Sequence, residues 1–167
     1  MSRRICWDGI LVVDSLLVTK ASLKSKIGRI FFELGLILLG ALLFALSFPS
    51  FLSERGFGEL AFFSLIPVFI LVHRSSWWTI APYGLVYGFL TYALFNFWLS
   101  TFHPLAILIV PTIYAVYFFV LFPILKLADS LYPKYGFLVQ ILVWISYELL
   151  RTKGYLGYPY GNIGYSQ

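Results

Sequence analysis

The sequence predicts an all-α membrane protein, a polytopic bundle of about five spanning helices with its N-terminus in the cytoplasm. Three observations carry this. Hydrophobic residues make up 60% of the 167 and charged residues only 11%, less than half the charged share of an ordinary soluble domain. So short a chain cannot hide that much apolar surface in a globular core, because small domains leave much of their surface exposed. The apolar residues are also gathered into runs near the ~20 residues that a helix needs to cross a bilayer.

Residues 1–29 form a basic leader. Six of the twelve Lys and Arg lie in it (Arg3, Arg4, Lys20, Lys24, Lys26 and Arg29). Its apolar stretch is broken by Asp14 and Ser15 and followed by lysines, without the small-residue cleavage site of a signal peptide. An interfacial helix or a loose cytoplasmic tail fits better. The first span is expected at 30–48, with Glu33 near enough to its inner end to reach water and Ser47-Phe48-Pro49 closing it. The second, 57–73, contains Pro67 and is the weakest. The third, 77–99, carries no charge, and Gly84 and Gly88 stand four apart, the small-xxx-small spacing that lets two helices approach. Asn96 lies within this segment and needs a partner. The fourth, 105–125, is stopped by Lys126, with Pro111 and Pro123 as kink positions; the fifth is 135–151, and 152–167 is an aromatic, Gly-rich extracytoplasmic segment at the interface. Trp77, Trp78, Trp98, Tyr132 and Tyr135 sit near span ends, as an aromatic belt requires.

With the N-terminus inside, nine Lys and Arg lie on the cytoplasmic side and three (Arg55, Arg151, Lys153) outside. That follows the positive-inside rule, although the leader supplies the bias. The net charge of +5 has no basic stripe of the kind that tracks nucleic acid, so nucleic acid is not expected as a partner. Cys6 is the only cysteine, which excludes an intrachain disulfide. His73 and His103 are thirty residues apart without companions at ligand spacing, so no metal or other cofactor is expected, and both read as interface anchors.

The densest polar information lies from Trp144 onward. On a helix, Gln140, Trp144, Glu148 and Arg151 share one face. A glutamate near the end of a span needs pairing or water, and Arg151, one turn on, is its natural partner. Such a pair either pins the helix end or forms a polar wall beside a lipid or substrate cleft. Beyond it, Gly154, Gly157, Gly161, Gly164 and Pro159 break regular helix among interleaved tyrosines.

The run Trp144, Glu148 and Arg151, then Gly157-Tyr158-Pro159-Tyr160, then Gly164-Tyr165-Ser166-Gln167, resembles the signature that closes the fifth membrane helix of apolipoprotein N-acyltransferases. Tyr158 and Tyr160 stand where that family usually has Phe and Trp. Leu46-Ser47-Phe48-Pro49 is similar to the end of its first helix, and the Gly88-Phe89 and Asn96-Phe97-Trp98 region resembles its third more loosely. The resemblance covers residues 30–167. It implies an enzyme of the bacterial inner membrane that moves an acyl chain from a phospholipid to the α-amino group of a diacylated apolipoprotein. It also implies eight membrane helices and an extracytoplasmic nitrilase-like domain with a Glu-Lys-Cys set. No catalytic residue is assigned here: Cys6 precedes the first span, and the chain reads as cut off before that domain. It would then be inactive alone, or would act with a second chain carrying the nitrilase-like part. Trp144, Glu148, Arg151, Tyr158, Pro159, Tyr160 and Tyr165 are the candidate residues of a lipid or substrate cleft. The competing expectation is a small non-catalytic scaffold, or a lipid-binding or transport subunit. The carboxylates Glu33 and Glu148 lie near span ends, and a path for ions would want charge deeper in the bundle.

Overall fold

The computed structural model describes residues 5–49, 53, 55–103, 105–153 and 161–166; for 5–24, 165 and 166 it describes the backbone alone. Among these residues every regular element is helical. Five α-helices follow in order, α1 (Ile5–Ser47), α2 (Ala61–Arg74), α3 (Trp77–Phe95), α4 (Ala106–Leu131) and α5 (Gly136–Arg151), with 3-10 turns at Gly58–Leu60, Phe97–Thr101 and Ile163–Ser166. The chain divides into two compact units, 1–35 and 36–167.

The first unit is the N-terminal part of α1. Helix runs without a break through position 29, where the leader was expected to end. Arg29 Nε donates to Glu33 Oε1 at 2.9 Å, an i,i+4 ion pair that joins the basic segment to the apolar one.

The second unit holds the last turns of α1 and everything after. Its most extensive contact is between α3 and α4. Side chains meet in antiparallel order: Tyr92 stacks on Tyr114 at 3.7 Å, Gly88 lies against Phe118, and Gly84 against Phe118 and Phe122. A Cβ added at Gly84 would stand 2.3 Å from the Phe118 carbonyl oxygen, so the small-xxx-small spacing serves close backbone approach. Within this unit α1 packs through Gly40 against Val68 and Tyr87 and through Phe44 and Phe48 against Phe95.

Two helical stretches, Ser25–Ser47 and Ala106–Leu131, are long and apolar enough to cross a membrane. Only 33% of the apolar window of α4 is buried, so most of that helix turns Leu, Ile, Val and Phe outward, as a lipid-facing helix does and a soluble core helix does not. Hydroxyls in α4 and α5 return to their own backbone: Thr112 Oγ1 donates to Leu108 O at 2.6 Å and Ser146 Oγ to Leu142 O at 2.8 Å.

Two expectations are corrected. Lys126 does not stop α4, which continues to Leu131. Its ammonium instead reaches α2 and donates to the carbonyls of Val72 at 2.8 Å and His73 at 2.9 Å. The last carbonyls of a helix have no intrahelical donor, and a lysine can supply one. Asn96 is not inside α3 but caps its C-terminus, its N–H donating to Tyr92 O at 3.0 Å.

Candidate functional site: the C-terminal end of α5

The polar face expected on α5 exists. Gly136, Gln140, Trp144 and Arg151 are its buried residues. The face does not act as one wall, however; it divides between the two ends of the helix.

At the C-terminal end the expected Glu148–Arg151 pair gives way to separate partners. Glu148 Oε1 accepts from Trp144 Nε1, one turn back, and from the backbone N–H of Ile163, both at 3.1 Å. Arg151 donates through Nη1 to the Tyr92 hydroxyl and through Nη2 to Asn162 Oδ1. Its guanidinium carbon lies 5.6 Å from the ring centroid of Tyr92, 5.4 Å from that of Tyr114 and 6.0 Å from that of Tyr147. A buried cation is costly unless hydrogen bonds and π-faces replace its water, and this cage supplies both. Trp144 is only 2% exposed, with its ring edge-on to Phe118 at 5.6 Å.

These bonds tie Asn162 and Ile163 to the end of α5. Gly161 has φ +76°, a left-handed conformation that L side chains rarely adopt, and a Cβ there would stand 3.1 Å from Phe95 Cε1. The turn lays Asn162 on Arg151 and the Ile163 N–H on Glu148, so α5 and the tail of α3 share one seal. Of the sequence candidates, Trp144, Glu148 and Arg151 are brought together; Tyr158, Pro159 and Tyr160, and the side chain of Tyr165, lie outside the described residues. Tyr92, Tyr114 and Asn162 were not anticipated. The first two are 59 and 37 residues before Arg151 in the chain, and no spacing rule links them; Asn162, a lone amide in an aromatic segment, carried a weak signal.

Beside this seal an apolar groove of about 530 Å³ runs between α4 and α5, walled by Val120, Ile124, Leu142, Val143, Tyr147 and Leu150. A space of about 270 Å³ adjoins it, sharing Tyr117, Tyr147 and Leu150 and adding Arg151 and Lys153. An apolar channel that ends on two cations suits an amphiphile with an anionic head.

At the other end of α5, Gln140 Nε2 donates to Asp129 Oδ1 at 3.1 Å. Asp129 also faces His73 Nδ1 at 3.1 Å and Lys126 Nζ at 3.9 Å. His103 Nδ1 accepts from the Leu105 N–H at 3.1 Å. Among the described residues no group of three or more His, Cys, Asp or Glu could hold a metal ion.

The fold and this site define an α-helical membrane-type domain whose buried polar chemistry is held at helix ends. Comparison with known proteins gives the family. Residues 40–167 match the apolipoprotein N-acyltransferase N-terminal domain. The chain is 46% identical over 140 residues to apolipoprotein N-acyltransferase 1 of Treponema denticola, covering 83% of this chain and 26% of that protein. It is 40% identical over 144 residues to apolipoprotein N-acyltransferase 1 of Treponema pallidum, covering 86% of this chain and 26% of that one. The chain therefore belongs to the apolipoprotein N-acyltransferase N-terminal domain family, and it spans about a quarter of the length of these two relatives. No solved structure matches it.

Proposed function

We propose that this chain is the membrane domain of a lipoprotein N-acyltransferase, in the system that moves an acyl chain from a phospholipid to the α-amino group of a diacylated apolipoprotein. In this reading α1 to α5 all cross the bacterial inner membrane and the N-terminus is cytoplasmic. The C-terminal end of α5 then faces the extracytoplasmic side, where a nitrilase-like part, on this polypeptide or a second one, supplies the Glu-Lys-Cys chemistry. The residues described here hold no catalytic role. They bind and position: the groove between α4 and α5 takes an acyl chain, Arg151 and Lys153 face the phosphate, and the Arg151 seal fixes the platform on which the catalytic part sits. The observation that carries the reading is this groove opening beside the caged Arg151, within a segment that matches the family.

The test is complementation in cells depleted of their own N-acyltransferase, with mass spectrometry of lipoprotein N-termini. The expected result is triacylation when the chain is expressed with a nitrilase-like part, and diacylated termini when it is expressed alone. Diacylated termini in both arms would overturn the acyltransferase reading in favour of a non-catalytic scaffold or lipid-binding subunit. Triacylation by the chain alone would overturn the absence of catalytic groups from it.

A further inference from the structure

The apolar groove between α4 and α5 and the space beside Lys153 share a wall made of Tyr117 from α4 and Tyr147 and Leu150 from α5. Two of these three carry a hydroxyl. That of Tyr147 is buried and has no hydrogen-bond partner. Among the described residues the hydroxyl of Tyr117, on a side chain 39% exposed, has none either. The rings themselves are held in place: Tyr117 stands edge-on to Tyr114 at 5.8 Å, and Tyr147 edge-on to Phe118 at 5.4 Å. Two fixed rings therefore bring two unspent hydroxyls to the junction of an apolar space and a charged one.

Their depth leaves these hydroxyls in need of an acceptor. α4 runs from Ala106 to Leu131, so Tyr117 lies about 16 Å from its N-terminal end, at about 1.5 Å per residue. In a helix that crosses the bilayer this is hydrocarbon depth, where neither water nor the headgroup layer answers a hydroxyl and an unanswered one is costly. α5 stops near the same level, because Arg151 lies over the ring of Tyr114, and its end leaves a step below the end of α4. Lys153, exposed just past that end, sets a cation beside the step. An amphiphile that enters it has its phosphate at Lys153 and its tail along Val120, Ile124, Leu142 and Val143. The linkage between head and tail then falls at the two tyrosines. An ester carbonyl there is the acceptor that both hydroxyls lack, whereas an ether linkage has no carbonyl to offer. An annular lipid outside the step keeps its carbonyls at the membrane surface and meets neither.

We propose that Tyr117 and Tyr147 form a subsite for the ester carbonyl of the lipid held between α4 and α5, and that the groove thereby selects ester-linked phospholipids over ether-linked ones. The pair positions the acyl ester and takes no part in breaking it. The inference rests on the acyl-chain groove proposed above but not on acyl transfer, so diacylated termini in the complementation test leave it standing.

The experiment is native mass spectrometry of the full chain released from detergent, with dipalmitoyl phosphatidylglycerol or its dihexadecyl ether counterpart added at equal concentration. The ester lipid is expected to be retained roughly tenfold better, the worth of one or two neutral hydrogen bonds. Tyr147→Phe and Tyr117→Phe keep the rings and their packing, so each is expected to lower that ratio and the double variant to bring it to one, with retention of the ether lipid unchanged. Tyr135→Phe, exposed at the other end of α5, leaves the ratio intact. Lys153→Ala is expected to weaken both lipids alike, which reads the headgroup separately from the linkage. Equal retention of ester and ether lipid by the parent, or a ratio that survives the double variant, would overturn the tyrosine subsite alone. Retention of neither lipid would overturn the groove with it.

Discussion

Replacing Gly84 by alanine is the sharpest test of how this bundle is held together, because the added methyl has nowhere to go. Its Cβ would lie 2.3 Å from the Phe118 carbonyl oxygen and 2.9 Å from Phe122 Cβ and Cγ. Carbon atoms in van der Waals contact sit about 3.5–4.0 Å apart, so one helix must move by roughly 1 Å along its whole contact. The obstacle is backbone and cannot rotate away. Overpacking a well-filled site costs about 1–3 kcal/mol, and a backbone clash belongs at the upper end. Alanine recovers about 1 kcal/mol of helix propensity over glycine, which leaves a net loss of about 2 kcal/mol. For Gly88→Ala the nearest atoms are side-chain atoms of Phe118, at 2.9–3.0 Å. The ring can yield by a few tenths of an ångström, so its net loss is expected at about half that of Gly84→Ala. Gly28→Ala meets nothing within 4 Å and is expected to gain about 0.5–1 kcal/mol. The three free energies come from equilibrium unfolding in mixed micelles with rising dodecyl sulfate, followed by helical circular dichroism. Gly84→Ala as stable as the parent, or Gly28→Ala as damaging as Gly84→Ala, would refute the close-approach argument.

Other substitutions address the seals. Arg151→Lys keeps the charge but loses the planar fork that serves Tyr92 and Asn162 together; a loss of about 2–3 kcal/mol is expected, with amide hydrogen exchange of residues 161–166 rising toward that of free chain. Glu148→Gln is expected to be mild, within about 1 kcal/mol, because one amide oxygen can accept from both Trp144 and Ile163, whereas Glu148→Leu strands both donors and is expected to cost about 2 kcal/mol or more; paired unfolding curves separate the two. Lys126→Met leaves the Val72 and His73 carbonyls without their donor, and faster amide exchange over the last turn of α2, with α4 unchanged, is the expected signature.

What could be read from the sequence was local. The apolar runs mark where helices form, Gly84 and Gly88 mark where two of them touch, and the i, i+4, i+8, i+11 spacing of Gln140, Trp144, Glu148 and Arg151 marks the face of α5 that is buried. What could not be read was the choice of partner. Glu148 and Arg151, one turn apart, looked like a pair; the fold supplied each with a better-placed partner from a segment that sequence spacing does not reach. Lys126 was misread for a related reason. A lysine after an apolar run ordinarily marks the membrane surface, but here a neighbouring helix ends beside it, and its ammonium goes to that helix's carbonyls instead of to water.

That exchange of partners also explains how two short helices fit among long ones. The 14 residues of α2 and the 16 of α5, at about 1.5 Å per residue, reach about 21 and 24 Å, less than the ~30 Å of a hydrocarbon core. In the proposed five-span topology their terminal carbonyls, left alone, would sit where water is scarce and each unsatisfied group is costly. α4, with 26 residues, overreaches both. It sends Lys126 onto the end of α2, and Tyr114 stacks under Tyr92 to floor the cage in which Arg151 closes α5 against Asn162. The polar residues therefore sit where the short helices stop. At α5 the same constraint gathers side-chain hydrogen bonds at both ends, Gln140 to Asp129 at one and Arg151 to Asn162 at the other.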